Sequence, residues 1–354
     1  MAEPKSKLFV IGAFSVRPGE RSTVELPITD LSIHTKMTLS VQVIRGRRPG
    51  PTMFVSAAVH GDEIAGVEII RRILKLSALR SLRGTLIAVP IVNVFGFIAL
   101  SRYLPDRRDL NRCFPGSPKG SLAGRLAHLF LSEIVAKCTH GIDLHTGAVH
   151  RVNYPQIRVN LDDPEAARMA TNFGVPVVIN ATQRDGSLRQ AAVEQNVPVI
   201  VYEAGEALRF DEMSIRAGVK GVVRVMRALE MLPASKHAAK QPEPIIAQSS
   251  TWVRAPASGI LRASSVLGSQ VREGEGLGFV ANSLGESEVE VKSPCDGVLI
   301  GRTNLPLVYE GDGLFHIARV NGTKGVAKIL DAFTPEQEYD EGLTAELADD
   351  PLLS

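Results

Sequence analysis

His60 and Glu63 stand three residues apart in an H-x-x-E pair. An imidazole nitrogen and a carboxylate oxygen are both suitable zinc donors. The pair follows a short apolar run, 53–58, that reads as a buried strand. It precedes Ile64, Val67, Ile70, Ile73 and Leu74, which recur at helical spacing. Positions i and i+3 at a helix start share a face, so both donors can converge on one ion. Catalytic zinc keeps three protein ligands and leaves the fourth position to water, so one donor is missing from this segment. His145, at the C-terminal end of the strand-like run 141–145, can supply it. Asp143 lies two residues earlier, on the same side of that strand, and is placed to accept an imidazole N–H. Taken singly, an H-x-x-E pair is also a common surface or capping pair, and a lone histidine is often structural. Two strand ends meeting at the C-terminal edge of a parallel sheet, where α/β proteins assemble sites, would join them.

Two further segments carry chemistry. Residues 107–116 end in Pro-Gly and read as a loop, with Asn111 and Arg112 side by side. Arginine's planar fork suits bidentate capture of a carboxylate, and Asp109 is placed to brace it. The bland alternative is a solvated charged loop. The apolar run 199–202 ends in Glu203. A carboxylate there is costly unless paired or used. Beside a zinc-activated water it can take a proton and pass it to a leaving amine. Glu206 competes for that task but lies beyond the turn.

The elements that must position these residues alternate between strand and helix patterns over residues 36–232. This predicts an α/β domain with a mostly parallel, mixed central sheet. We assign residues 1–235 to this domain, with 1–35 read as irregular β structure of uncertain placement. Residues 236–250, rich in Pro, Lys, Gln and Ser, read as a linker. Residues 251–318 have short β runs punctuated by glycine and read as a small all-β module. Residues 319–354 form a C-terminal extension with an acidic tail. Across 354 residues, 44% are hydrophobic and 22% charged, with a net charge of +2. That balance is ordinary for a globular protein, and no basic stripe advertises nucleic acid. No apolar run is long enough to span a bilayer, and no signal-peptide pattern is present. The three cysteines form neither a C-x-x-C pair nor an even disulfide set, which points to a cytoplasmic setting.

The segments 60–63, 109–112, 143–147 and 203–205 together resemble, in order, the succinylglutamate desuccinylase/aspartoacylase family, a branch of the zinc carboxypeptidase-like folds. The resemblance covers about residues 40–318. It implies one zinc per chain on His60, Glu63 and His145, with Glu203 as general base and acid. It implies Asn111 and Arg112 as the clamp on a substrate carboxylate. Arg102, in an Arg-Tyr pair, would stabilise the oxyanion. Its spacing from Asn111 is longer than in aspartoacylases, which leaves Arg108 as a rival. Arg189 would contact the acyl end of the substrate, and Tyr309 is the tyrosine available in the β module. That module resembles the barrel-sandwich hybrid of biotinyl and lipoyl domains, with 255–259 and 293–297 as its quasi-symmetric halves. It lacks a carrier lysine on the intervening hairpin, and Lys292 is too close to the second half.

The expected activity is hydrolysis of the amide of an N-acyl amino acid or related small acylated amine. A metallocarboxypeptidase acting on a peptide C-terminus is the alternative enzyme. A catalytically inactive metal-binding interaction protein is the alternative of another class. The expected partner is a small molecule, with neither nucleic acid nor membrane; a homo-oligomer is compatible with the sequence.

Overall fold

The computed structural model describes residues 8–234, 243–320 and 325–333. Four strands, Arg48–Ala57, Arg83–Val89, His140–Gly147 and Val199–Glu206, are mutually parallel and form the centre of a large sheet. Their side chains alternate between two cores. Met53, Val55 and Ala57 face one core with the helices Ala65–Ile73, Pro164–Phe173 and Glu212–Ala228. Phe54 faces the other with the helices Leu122–Glu133 and Leu188–Val193. A strand buried on both faces is apolar on both parities, which explains the continuous apolar runs.

The helix Ala65–Ile73 buries Ala65, Ile69, Ile70 and Ile73 on one stripe. Arg72 donates from Nε to Glu68 of the same helix and from Nη1 to Glu212 at 2.7 Å, which fastens the helix to Glu212–Ala228. No helix among the described residues is long and apolar enough to cross a membrane.

The expectation of a mostly parallel sheet holds only for this centre. Lys36–Arg45 and Arg21–Asp30 extend it in antiparallel fashion on one side. On the other, Arg151–Val159 runs antiparallel to Val199–Glu206. Gly297–Thr303 then pairs with Arg151–Val159, Gly313–Arg319 with Gly297–Thr303, and Ser249–Arg254 with Gly313–Arg319, all antiparallel. The sheet is thus mixed, with antiparallel flanks on a parallel centre. The N-terminal segment also gains a place: Phe9–Ile11 and Phe14–Val16 form a hairpin, with Ile11 and Val16 in the Phe54 core.

The segment read as linker, 236–250, needs correction. Residues 236–242 lie outside the described residues, but Ile245–Ala247 pairs in parallel with Val177–Asn180, and Ser249 already begins a strand. Beyond it, a second sheet of Gly259–Ala263, Gly276–Ala281, Glu288–Lys292 and Leu307–Val308 faces the end of the large sheet. Leu261, Leu277, Val291, Leu299, Phe315 and Ile317 fill the space between. The segments 255–259 and 293–297 play matching parts: each bends into a strand at its glycine, one in each sheet. A Cβ on Gly259 would lie 2.3 Å from the Ala281 carbonyl oxygen, and one on Gly297 2.2 Å from that of Ala318.

The ring of Phe54 is fully buried and meets Phe130 edge-on, 5.8 Å between centroids. Removing it leaves a hole under the strand that leads to His60. Phe54→Ala should therefore cost about 3–5 kcal/mol of stability. The check is the midpoint of urea unfolding, which should fall well below that of the wild type.

Candidate active site

His60 and Glu63 sit in the connection between the strand Arg48–Ala57 and the helix Ala65–Ile73. A turn, closed by the Glu63 N–H on the His60 carbonyl at 3.1 Å, brings them together ahead of the helix. Gly61 lets this turn lie against the next loop: a Cβ there would be 2.0 Å from the backbone carbon of Gly96. His145 is one strand away, in the parallel partner His140–Gly147. Glu203 is level with His145 on the following strand.

The three expected metal donors converge. Glu63, 1% exposed, has Oε1 2.8 Å from Nδ1 of His60 and Oε2 2.8 Å from Nδ1 of His145. The far nitrogens are held by other carboxylates: Nε2 of His145 by Asp143 at 2.7 Å, and Nε2 of His60 by Asp109 at 3.1 Å. Ser56 donates to the second oxygen of Asp143. With Nε2 donating, each neutral ring presents its Nδ1 lone pair to Glu63. Lone pairs and carboxylate oxygens this close require a proton or a cation between them. Burial by itself would lower both imidazole pKa values. The facing carboxylates reverse this, holding His60 above its ordinary range and His145 well above it. Burial would also raise Glu63, yet the two imidazoles keep it well below the usual carboxylate range. The ligand atoms lie within 4.8 Å of one another. The donor set and its carboxylate-braced imidazoles fit a zinc ion.

Around this group opens a cavity of about 800 Å³, lined by seven arginines and four carboxylates. Arg102 is on its wall, with Nη1 3.1 Å from Glu63 and Nη2 3.0 Å from Asp109. Arg108 is 60% exposed and contacts Asp106; it does not line the cavity. Asp109 also accepts the Asn111 N–H and so starts the short turn Leu110–Arg112. The Asn111 side-chain oxygen accepts from the Leu188 N–H, leaving its NH₂ as the available donor. Arg112 and Arg189 both line the cavity. Arg189 donates to the carbonyls of Ala181 and Thr182.

Glu203 faces the same space. Asn153 donates to its Oε2 at 3.1 Å, and Arg158 Nε lies 3.0 Å from that oxygen. Asn153 and Arg158 are five residues apart on one strand and would ordinarily point to opposite faces. A bulge between them resolves this: Glu203 pairs with Gln156 and Gly205 with Asn153, so Arg151–Val159 carries one extra residue there. Glu206 is instead bound by Asn304 and Arg209 outside the cavity, and Tyr309 is 75% exposed and away from it.

Sequence reasoning missed one whole wall. Trp252 and His316 of the β module line the cavity, stacked with centroids 4.5 Å apart, and Arg151 lies over the Trp252 ring. Burial, then Arg158, Arg184 and Arg151, push His316 down to about 3, so it is neutral. Arg151, Arg158 and Arg184 carried no motif that could mark them.

The succinylglutamate desuccinylase/aspartoacylase catalytic domain matches residues 49–229. A relative, the N-alpha-acetyl-L-2,4-diaminobutyric acid deacetylase of Halomonas elongata, is 28% identical over 311 residues, covering 84% of this chain and 90% of that protein. Among solved structures, the product-bound ectoine utilization protein EutE (DoeB) from Ruegeria pomeroyi has a TM-score of 0.76 at 22% identity, covering 85% of this chain and 95% of that one. The succinylglutamate desuccinylase/aspartoacylase from Rhodobacter sphaeroides has a TM-score of 0.75 at 22% identity, covering 85% and 96%. At those identities the likeness to the solved structures is one of fold.

Two outcomes are expected from this geometry. Asp143→Asn removes the charged acceptor behind His145 and should weaken zinc binding by roughly 10–100-fold, measured by competition with a chelator. His316 gives a pH signature. Between its folded pKa of about 3 and the ordinary value near 6.5, the unfolded chain binds a proton that the folded chain does not. Its contribution is present above 6.5 and is lost as pH falls toward 3, with a slope of at most about 1.4 kcal/mol per pH unit. His316→Gln should flatten the fall in unfolding free energy between pH 6.5 and 5; an unchanged slope would remove His316 from the account.

Proposed function

Because the chain belongs to the succinylglutamate desuccinylase/aspartoacylase family, we propose that it is a zinc-dependent deacylase, cleaving the amide bond of an N-acyl amino acid. The observation that carries this reading is the convergence of two carboxylate-braced imidazoles on Glu63, in a cavity that also holds Glu203 and an arginine-rich wall. The name of the Halomonas elongata relative, a deacetylase of an N-acetylated amino acid, supports the same chemistry.

His60, Glu63 and His145 would hold the ion. Zinc bound there supplies Lewis acidity toward an acyl carbonyl and lowers the pKa of a water toward about 7. The chain's own residues do the rest. Glu203 accepts the proton of the attacking water on a carboxylate oxygen and returns it to the nitrogen of the departing amine. Asn153 and Arg158 hold one of its oxygens, which orients the other. Arg102, fixed on Glu63 and Asp109, carries the positive charge nearest the metal donors and stabilises the developing oxyanion. Asn111, through its free NH₂, and Arg112 grip the substrate's α-carboxylate.

The test separates metal from proton transfer. Wild-type protein should bind about one zinc per chain, and His60→Ala should lose it. Glu203→Gln should keep the zinc and the fold while losing roughly 10²–10⁴ in kcat on N-acyl amino acids. A zinc-replete Glu203→Gln enzyme with normal kcat would move the proton role elsewhere.

A further inference from the structure

Six large apolar side chains, Ile98, Leu100, Tyr103, Val149, Leu208 and Phe210, stand between 45% and 68% exposed. Their backbones place them on one rim. Tyr103 and Val149 line the cavity itself. Gly61, next to His60, lies against Gly96 of the loop that leads to Ile98, Leu100 and Tyr103. The Asp62 carbonyl accepts the Leu208 N–H at 2.8 Å, and the Gly147 carbonyl accepts the Ala207 N–H at 3.0 Å. The rim is therefore built on the same turns that present His60, Glu63 and His145. Its apolar groups are held out at a cost. Leu100, Val149 and Leu208 have φ of 51°, 51° and 58°, a left-handed backbone that bulky side chains avoid. Among the described residues no other Val, Leu or Ile has a positive φ. Val149 and His150 fill a two-residue turn, closed by the Arg151 N–H on the Ala148 carbonyl at 3.2 Å, where Asn-Gly would suit both positive φ values. Strained apolar side chains at the mouth of a polar cavity point to a contact made with something outside the chain.

We propose that this rim holds an aliphatic acyl chain, and that the substrate is an N-acyl amino acid whose acyl group is several methylenes long. The proposal rests on the deacylase reading above and narrows its substrate class. The direction of the substrate follows from the two sides of the sheet. Asn111 is pinned to Leu188, at the start of the helix Leu188–Val193, on the side of the Phe54 core. The turns under the rim lead into Ala65–Ile73 and Glu212–Ala228, on the opposite side. A substrate with its carboxylate on Asn111 and Arg112 and its carbonyl at the candidate metal donors directs its acyl group at the rim. Arg189, on the helix that holds Asn111, then belongs with the amino-acid end. The charges agree with this direction. Seven arginines against four carboxylates suit an anionic head but give an aliphatic chain no apolar cover, which the rim supplies.

The zinc-loaded full chain is assayed against N-acetylalanine, N-hexanoylalanine and N-acetyl-2-aminoheptanoate, the last two being isomers with the same four added methylenes at opposite ends of the amide. Each methylene taken fully out of water is worth about fourfold, and a rim covers a chain on one side only. N-hexanoylalanine should therefore exceed N-acetylalanine in kcat/KM by about 10–100-fold. A ratio near one overturns the proposal, and so does a gain confined to N-acetyl-2-aminoheptanoate. The double variant Val149→Asn, Leu208→Asn removes two apolar contacts, and asparagine tolerates the positive φ, so its thermal midpoint should stay at or above that of the wild type. In it the ratio should collapse toward one; an untouched ratio overturns the proposal. Sedimentation velocity tests a second copy of the chain as the occupant. A dimer that Phe210→Ser dissociates overturns the acyl assignment, and a mass unchanged by that variant supports it. If no compound in the panel is hydrolysed, the deacylase reading fails, and calorimetry decides the rim alone. A tenfold or greater preference for binding N-hexanoylalanine over N-acetylalanine, lost in the double variant, supports it, and equal affinities overturn it.

Discussion

A carboxylate with only 1% of its surface exposed, Glu63, sits between two imidazoles and beside a guanidinium. An isolated buried carboxylate would cost several kcal/mol or take up a proton. Here each oxygen meets a ring nitrogen, and each ring is turned by its own carboxylate behind it. Asp143 does this from within the His145 strand, and Asp109 from the loop that also presents Asn111 and Arg112. The candidate metal donors and the loop that carries Asn111 and Arg112 are therefore one hydrogen-bonded unit. Arg102 closes the unit by touching both Glu63 and Asp109. Such a network is a poor source of net stability and a strong source of geometric definition, provided every member is satisfied. The two Nδ1 atoms that face Glu63 mark where a cation would fit.

The rest of the fold supplies rigid origins for that unit. The three adjacent parallel strands place His60, His145 and Glu203 at one sheet edge, with the register Glu203 opposite His145. Two irregularities adjust the side chains. The extra residue within Arg151–Val159 turns Asn153 and Arg158 to the same carboxylate. Gly205, at a positive φ of 75°, sits where the register against the His145 strand shifts, between Glu203 opposite His145 and Glu206 opposite Gly147. Strand ends deliver the candidate catalytic groups; bulges choose which neighbours those groups have.

What the sequence disclosed follows from how far each signal reaches. Candidate donors at strand ends are local features, and the pairings of His60 with Glu63 and of Asp143 with His145 were legible because each spacing is short and the residue types are specific. The central strands were legible because burial on both faces makes them apolar throughout. Arg151–Val159 was not, since Asn153, Gln156 and Arg158 interrupt any alternation and Pro155 argues against a strand. A bulge has no sequence mark, so the pairing of Asn153 and Arg158 with Glu203 was invisible. Nor could the antiparallel flank be foreseen: Gly297–Thr303 joins the sheet at Arg151–Val159, more than a hundred residues away, and Gly313–Arg319 and Ser249–Arg254 follow it in turn. Arg108 illustrates the opposite failure, a local candidate that the loop turns outward to Asp106.

That flank bears on the β module. Its resemblance to biotinyl and lipoyl folds invites the idea of a domain that swings a tethered group between sites. Swinging requires a module free to leave its neighbour. Here Gly297–Thr303 is hydrogen-bonded to Arg151–Val159, the strand that holds Asn153 and Arg158 on Glu203. Val298, Ile300 and Ala318 share a core with Tyr154, Val177 and Ile179 of the α/β domain. Movement would open that core, break the ladder and remove Trp252 and His316 from the cavity wall. The hairpin residues 282–287 also contain no lysine to carry a group. The module is therefore a fixed wall, and its contribution is steric and electrostatic: an aromatic stack that stays neutral beside arginines, leaving their positive charge directed at whatever enters the cavity.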